Sequence, residues 1–353
     1  ISPMAADMMR SARRSSTMTD APLRRLAESG GFVPLSFEFF PPRSQNGRAA
    51  LHQAAERLAP AATAGFSVTM GAGGATRTGT HQTSLEIAQI CKRPVMAHLT
   101  ALGLTKEEVF QTSENLWADG IHSILALRGD RPHGTTNLPP PGYEHASDLV
   151  AALRESHPFE ITVAAYPEKH PEADTLDADI DHLKEKIDAG ASRAICQFVL
   201  DPAAYGRFLD DCARHGISAP IIPGVMPLER WNRVRGFAHA NGVAVPGWLD
   251  RLFAHADDEP ELMPYLSATA TFEHARRLIG YGAPGLHVYT MNRWPLPLAL
   301  ARLLGHDYLE RSKVRFQLPL SHKSAEVTFW CLVDSIQAIA KSPSIDPVRH
   351  GGS

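Results

Sequence analysis

"TLDADIDHLKEKIDAGASRAICQFVL", residues 175–200, changes its periodicity half-way along. Leu176, Ile180, Leu183 and Ile187 recur at three- and four-residue spacing and form one apolar stripe of a helix, for which Gly190 supplies the stop. The run 193–200 that follows is short and apolar, a strand candidate. A helix feeding a strand in this way is part of a βα repeat, and the number of repeats decides the architecture.

Eight strand candidates can be counted: residues 32–40, 66–70, 94–100, 123–129, 161–167, 193–200, 220–227 and 286–292. Amphipathic stretches separate them at 48–63, 82–91, 105–118, 146–155, 175–190, 203–215, 228–240 and 262–280. This spacing predicts an α/β chain folded as a (β/α)8 TIM barrel over residues 31–305. An open doubly wound sheet would more often carry a GxGxxG turn after its first strand, and none is present; "GAGG" (71–74) reads as a turn that lets backbone approach a ligand. Residues 306–353 form a C-terminal extension in which "VTFWCLVDSIQAIA" is an extra amphipathic helix, expected to pack on the barrel or on a partner subunit of a homo-oligomer. Residues 1–30 are read as a flexible extension, with a natural start at Met4 or Met18 after a short remnant.

At 353 residues and 44% hydrophobic content the chain can bury a large core. A net charge of −3 with no basic block excludes an electrostatic footprint for nucleic acid or an anionic membrane, and no run of about 18 apolar residues predicts a membrane span. Cys91, Cys196, Cys212 and Cys331 have no CxxC spacing, which fits free thiols in a cytoplasmic protein and gives no zinc motif and no other metal site.

In such a barrel the chemistry gathers at the C-terminal strand ends. The polar residues there are Glu38; Thr69 with Met70; His98 and Thr100; Arg128, Gly129 and Asp130; Tyr166; Gln197; and Tyr289, Asn292 and Arg293. In "LSFEFFPPRS" (35–44), alternation sends Phe37 and Phe39 to one face and Ser36, Glu38 and Phe40 to the other, so Glu38 points into the barrel near its mouth. Burial there favours the neutral carboxylic acid, the form that a general acid needs. The competing reading is a salt bridge of Glu38 with Arg43 or Arg293. Asp130 closes "ALRGD"; it is either a site carboxylate or a surface turn residue paired with Arg128, and its RGD tripeptide is too short to argue adhesion. The Pro/Gly-rich insert 130–146 is long for a βα loop and is placed to cover a site.

"SFEFFPPRS", "AHLT", "ILALRGD", "VAAYPEKHPEA", "DADIDHLKEKIDAGASRAICQF", "IIPGVMP" and "HVYTMNR", in that order, closely resemble methylenetetrahydrofolate reductase of the bacterial type over residues 32–305. The resemblance implies an oxidoreductase that holds FAD at the barrel mouth and reduces 5,10-methylenetetrahydrofolate with NADH or NADPH. It implies Glu38 as the acid that opens the imidazolidine ring and Asp130 as the carboxylate beside the flavin, with Thr69, Gln197, Phe237 and Arg293 contacting folate or nicotinamide. The flavin positions it implies are Met70, Ala72, His98, Arg128, Gly129, Asp130, Ala146, Tyr166, His170, Ala173, Asp179, His182, Glu185 and Lys186. Of these, Asp179, His182 and Lys186 share a helix face by spacing alone, which is either a ligand-facing stripe or a solvated one. The chain departs from the family at Met70 and His145 (usually Tyr), His182 (usually Asn) and Glu185 (usually basic), and the last exchange should repel a pyrophosphate. Two alternatives follow: a flavin-independent reductase of the same substrate, or a folate-binding regulatory barrel without turnover. A barrel aldolase is disfavoured because no strand-end Lys is placed for a Schiff base.

Overall fold

The computed structural model describes residues 32–71, 77–129, 142–254 and 258–306. The N-terminal extension, most of "GAGG" with Ala72, most of the 130–146 insert with Asp130, and all but the first residue of the C-terminal extension lie outside these residues. The chain runs β1 (Leu35–Phe39), α1 (Gln45–Leu58), β2 (Gly65–Val68), α2 (Arg77–Cys91), β3 (Val95–Thr100), α3 (Lys106–Ala118), β4 (Ser123–Leu127) and α4 (Ala146–Ser156). It continues through β5 (Glu160–Ala165), α5 (Leu176–Asp188), β6 (Arg193–Phe198), α6 (Pro202–Arg214), β7 (Ile221–Val225), α7 (Trp231–Ala240), α8 (Gly247–Leu252), α9 (Met263–Gly280), β8 (Leu286–Tyr289) and α10 (Pro295–Leu303). The strands are parallel and close in sequential order, with β8 pairing β1, which is the expected (β/α)8 barrel.

Local chemistry sets the helix starts. Ser44, Thr105, Thr175 and Asp201 each accept a backbone N–H of the first turn that would otherwise lack a partner. At α3 the arrangement is reciprocal: Glu108 also accepts the Thr105 N–H. Two helices escape the pattern reading. Short α8 follows α7 within one crossover, and α10, "PLPLALARL", is apolar nearly all round, so it shows no stripe and its prolines mask it. Those prolines sit in its first turn, where a missing N–H costs nothing.

Strand register separates the two faces of the barrel wall. Phe37, Phe39, Phe66, Val68, Ala97, Leu99, Ile124, Ala126, Ile161 and Val163 join the main core under the helices, and burying them supplies most of the driving force. Between them, Ser36↔His287 and Ser36↔Gly65, Glu38↔Tyr289 and Glu38↔Ser67, and His98↔Leu125 share the other face. Within the barrel, Met96, Leu125 and Ile195 form a small apolar plug, backed by Leu127 and Ile222. The rest of that interior is unusually polar, with buried Ser36, Ser67, His98, Thr162 and His287. A separate cluster built on Trp231, Leu249 and Phe253 joins α7 and α8 to the barrel edge. Gly224 on β7 has no room for a side chain: a Cβ there would lie 2.6 Å from both the Cys196 carbonyl and the Tyr289 ring. The missing Cβ lets the Tyr289 ring lie against the β7 backbone and donate its hydroxyl to Cys196 O at 3.1 Å.

Candidate active site

Two constellations occupy the mouth. The first lies on β1, β3 and β8. One Glu38 carboxylate oxygen is 3.1 Å from His287 Nε2 and 3.4 Å from His98 Nε2, and His287 Nδ1 is 2.7 Å from the Ser36 hydroxyl. The His98 contact lacks hydrogen-bond alignment. His287 is fully buried and His98 nearly so, while the Glu38 side chain keeps 14% exposure toward the mouth. Among the described residues no arginine pairs with Glu38: Arg293, named in the competing reading, pairs instead with Glu229 at 2.9 Å.

A neutral imidazole offers one donor and one acceptor, so the Ser36–His287–Glu38 line has two consistent hydrogen-bond patterns. In one, Ser36 donates to Nδ1 and Nε2–H donates to an ionised Glu38. In the other, a protonated Glu38 donates to Nε2 and Nδ1–H donates to Ser36. The second pattern holds one proton more than the first, so passing from the first to the second takes up a proton from solvent, and His287 can relay it to Glu38 by receiving it at Nδ1 while giving up the proton on Nε2. Burial depresses the His98 pKa to about 4, with Glu38 opposing the shift and His287 adding to it, so His98 is neutral near pH 7. Burial and the nearby Glu38 carboxylate also keep the Tyr289 phenol protonated.

The second constellation is a cavity of about 260 Å³ where β4 and β5 meet the start of α4 and one face of α5. Ten of the flavin positions named by resemblance line it: Arg128, Gly129, Ala146, Tyr166, His170, Ala173, Asp179, His182, Glu185 and Lys186. The stripe on α5 therefore faces a cavity rather than solvent alone. Gly129 takes a left-handed backbone (φ 90°), which turns the chain off β4 at the cavity edge. Ala146 and Ser147 bring the N-terminal end of α4 to the lining, a place suited to an anion.

Charge in this cavity is divided. Arg128 pairs with Glu172 at 2.6 Å, and Asp179 accepts the His170 N–H at 2.8 Å. Lys186 donates to the Ala164 carbonyl at 2.7 Å, and burial lowers its pKa to about 8 against the pull of Asp179 and Glu185. Arginine, lysine, tyrosine, histidine and helix-terminal amides together suit a phosphate-bearing aromatic cofactor such as FAD. Of the two α5 carboxylates that line the cavity, Asp179 accepts a hydrogen bond, whereas Glu185 has no hydrogen bond or ion pair among the described residues and is coupled to Lys186 by charge alone.

The remaining named residues that the structure describes do not line this cavity. Met70 is buried, and its sulfur accepts from Thr100 Oγ1 at 3.3 Å; His98 belongs to the Glu38 group. The Thr69 backbone links β1 to α2, its N–H donating to Phe39 O and its carbonyl accepting from Thr80 Oγ1. Gln197 reaches Asn241 at 3.4 Å, and Asn241 in turn donates to the carbonyl of exposed Phe237, so the end of β6 is tied to α7. Sequence reasoning missed His287, the partner of Ser36, because it lies two residues inside the end of β8, away from the strand ends where barrel chemistry is expected. It also missed Glu172, which holds Arg128.

The family model for methylenetetrahydrofolate reductase matches residues 23–305. The 5,10-methylenetetrahydrofolate reductase of Escherichia coli (strain K12) is 38% identical over 286 residues, covering 81% of this chain and 95% of that relative. The enzyme of the same name from Pectobacterium carotovorum subsp. carotovorum is 38% identical over 282 residues, covering 79% and 93%. Among solved structures, an uncharacterized protein from Clostridium thermocellum, described as binding two copies of 5-methyl-5,6,7,8-tetrahydrofolic acid, superimposes with a TM-score of 0.54 at 16% identity. It covers 81% of this chain and 98% of its own, a likeness of fold.

The buried histidines make stability depend on pH. His98 and His274 both have pKa values lowered by burial from 6.5 to about 4, so between those values the unfolded chain binds more protons than the folded one. Stability should hold above about pH 6.5 and fall as pH drops toward 4. Thermal melts at pH 7.5 and pH 5 should show a lower midpoint at pH 5, and replacing His274 by Leu should reduce the difference; identical midpoints for the unmodified protein would contradict the burial argument.

Proposed function

Since the chain belongs to the methylenetetrahydrofolate reductase family and its reaction is the reduction of 5,10-methylenetetrahydrofolate, we propose that Glu38 is the acid of that reaction, that the cavity beside β4 and β5 holds FAD, and that NADH or NADPH is the reductant. The observation that carries this reading is the placement of Glu38 between two buried histidines, one of which connects it to Ser36. A carboxylic acid at the mouth can protonate a ring nitrogen of the substrate. Ring opening then leaves an electrophilic iminium carbon that accepts hydride, and Glu38 regains a proton from solvent by way of His287. General acids of this kind contribute about 10²–10⁴-fold.

FAD, when bound, supplies the hydride-carrying chemistry. Arg128, Lys186 and the start of α4 would face its phosphates, with Tyr166 and His170 beside them, and Gly129 would let backbone approach. Asp130, directly after Gly129, is the proposed carboxylate beside the flavin. Thr69, Gln197, Phe237 and Arg293 are the proposed folate and nicotinamide contacts; the Gln197–Asn241–Phe237 connection supports treating two of them as one unit. Arg293 must leave Glu229 to meet an anionic substrate tail. Free Cys91, Cys196 and Cys212 support a cytoplasmic location, and no described helix is long and apolar enough to cross a membrane.

Two measurements test the reading. Protein stripped of flavin should oxidise NADH with methylenetetrahydrofolate only after FAD is added, and Glu38→Gln should then lose folate reduction while keeping flavin reduction by NADH. Turnover without FAD would overturn the cofactor, and equal loss of both half reactions would overturn the role of Glu38. The cavity charge gives the second: Glu185→Gln should tighten FAD binding by roughly three- to tenfold at low salt, read by quenching of flavin fluorescence. An unchanged affinity would show that Glu185 does not face the phosphates.

A further inference from the structure

Among the described residues, Met291 (φ 52°) and Asn292 (φ 56°) are the only two adjacent non-glycine residues with left-handed backbone, and they directly follow β8. Such backbone is costly outside glycine and persists where surrounding contacts impose it. The contacts here all lead to the end of β1.

β1 runs into Pro41 and Pro42, which have no N–H, so Phe40 carries the last amide hydrogen the strand can offer. Asn292 takes it: its Oδ1 accepts the Phe40 N–H at 3.0 Å, and its Nδ2 donates to the Phe40 carbonyl at 2.9 Å. The carboxamide thus bonds as a further strand residue would, extending the β1–β8 ladder beyond its last register pair, Glu38↔Tyr289. Thr290 completes the clasp. Its N–H and its hydroxyl both donate to the Glu38 carbonyl, at 3.2 and 2.6 Å, and its hydroxyl accepts the Asn292 N–H at 3.1 Å.

We propose that Asn292, acting with Thr290, is a positioning residue for folate reduction, fixing the peptide groups on both sides of Phe39 and thereby the setting of Glu38 against His287 and His98. The left-handed backbone is what turns the Asn292 side chain back onto Phe40, so the strain and the clasp are one device. This rests on the reading of Glu38 as the acid. An ordinary strand-end cap would affect stability alone, whereas a positioning clasp also affects the proton-dependent step.

The test compares Asn292→Gly, which accepts the left-handed backbone and lacks the carboxamide, with Asn292→Asp, which keeps an acceptor for the Phe40 N–H. Asn292→Gly should lower kcat for folate reduction by about 10–100-fold, since small misplacements of a reacting group cost this much. Its KM should stay within about threefold and flavin reduction by NADH within about twofold, because neither depends on the setting of the acid. The pH profile of kcat should move, hydrogen exchange at the Phe40 amide should rise at least about tenfold, and Asn292→Asp should recover part of kcat. Unchanged kcat and pH profile in Asn292→Gly, or equal losses in both half reactions with an unmoved profile, would overturn the proposal. If Asn292→Gly does not fold, Thr290→Val and Thr290→Ser decide it: loss in the first with retention in the second supports the clasp, and unmodified behaviour in both overturns it. The two readings fail separately, since folate reduction surviving in Glu38→Gln removes the acid, whereas wild-type kinetics in Asn292→Gly removes the clasp alone.

Discussion

A carboxylate inside a barrel must find partners, and Glu38 finds them in two imidazoles rather than a cation. An arginine would hold it permanently ionised, as buried ion pairs do. An imidazole can face it as donor or as acceptor and so imposes no fixed charge on it. That constraint explains why β8 must close against β1: only closure brings His287 beside Ser36 and Glu38 from the far end of the chain. Around this group the barrel interior holds an apolar plug of Met96, Leu125 and Ile195, and the close approach at Gly224 seats the Tyr289 ring, the register partner of Glu38.

The two constellations divide the mouth. The β1 and β8 side carries the proposed acid, and the β4 and β5 side carries the cavity proposed for FAD. Thr100 stands between them, its hydroxyl on Met70 and its methyl-bearing carbon against the position a Gly129 side chain would need. On the proposed reading, proton and hydride would come from opposite walls, with the proposed acid away from the cavity carboxylates Glu172, Asp179 and Glu185.

The strands were legible because each is a short apolar run between amphipathic stretches, and the outward phenylalanines of β1 fell where alternation put them. The structure trims the strand ends: the run 32–40 becomes Leu35–Phe39 and the run 286–292 ends at Tyr289, because prolines and left-handed residues stop the ladder. α10 was not legible, since an almost uniformly apolar helix has no stripe. The α5 stripe was open by spacing alone; in the structure Asp179, His182 and Lys186 line the cavity. The partners of Glu38 were least legible: Ser36 and His287 meet through barrel closure, a contact between residues 251 positions apart that no local pattern encodes.

The most direct test of this account replaces His287 by Gln, which can still hydrogen-bond Glu38 and cannot pass a proton between its two ends. Single-turnover mixing of the reduced protein with methylenetetrahydrofolate should show folate reduction slowed by about 10²-fold, with reduction of the flavin by NADH unchanged in the same preparation. Folate reduction at the unmodified rate would contradict a proton supply to Glu38 through His287.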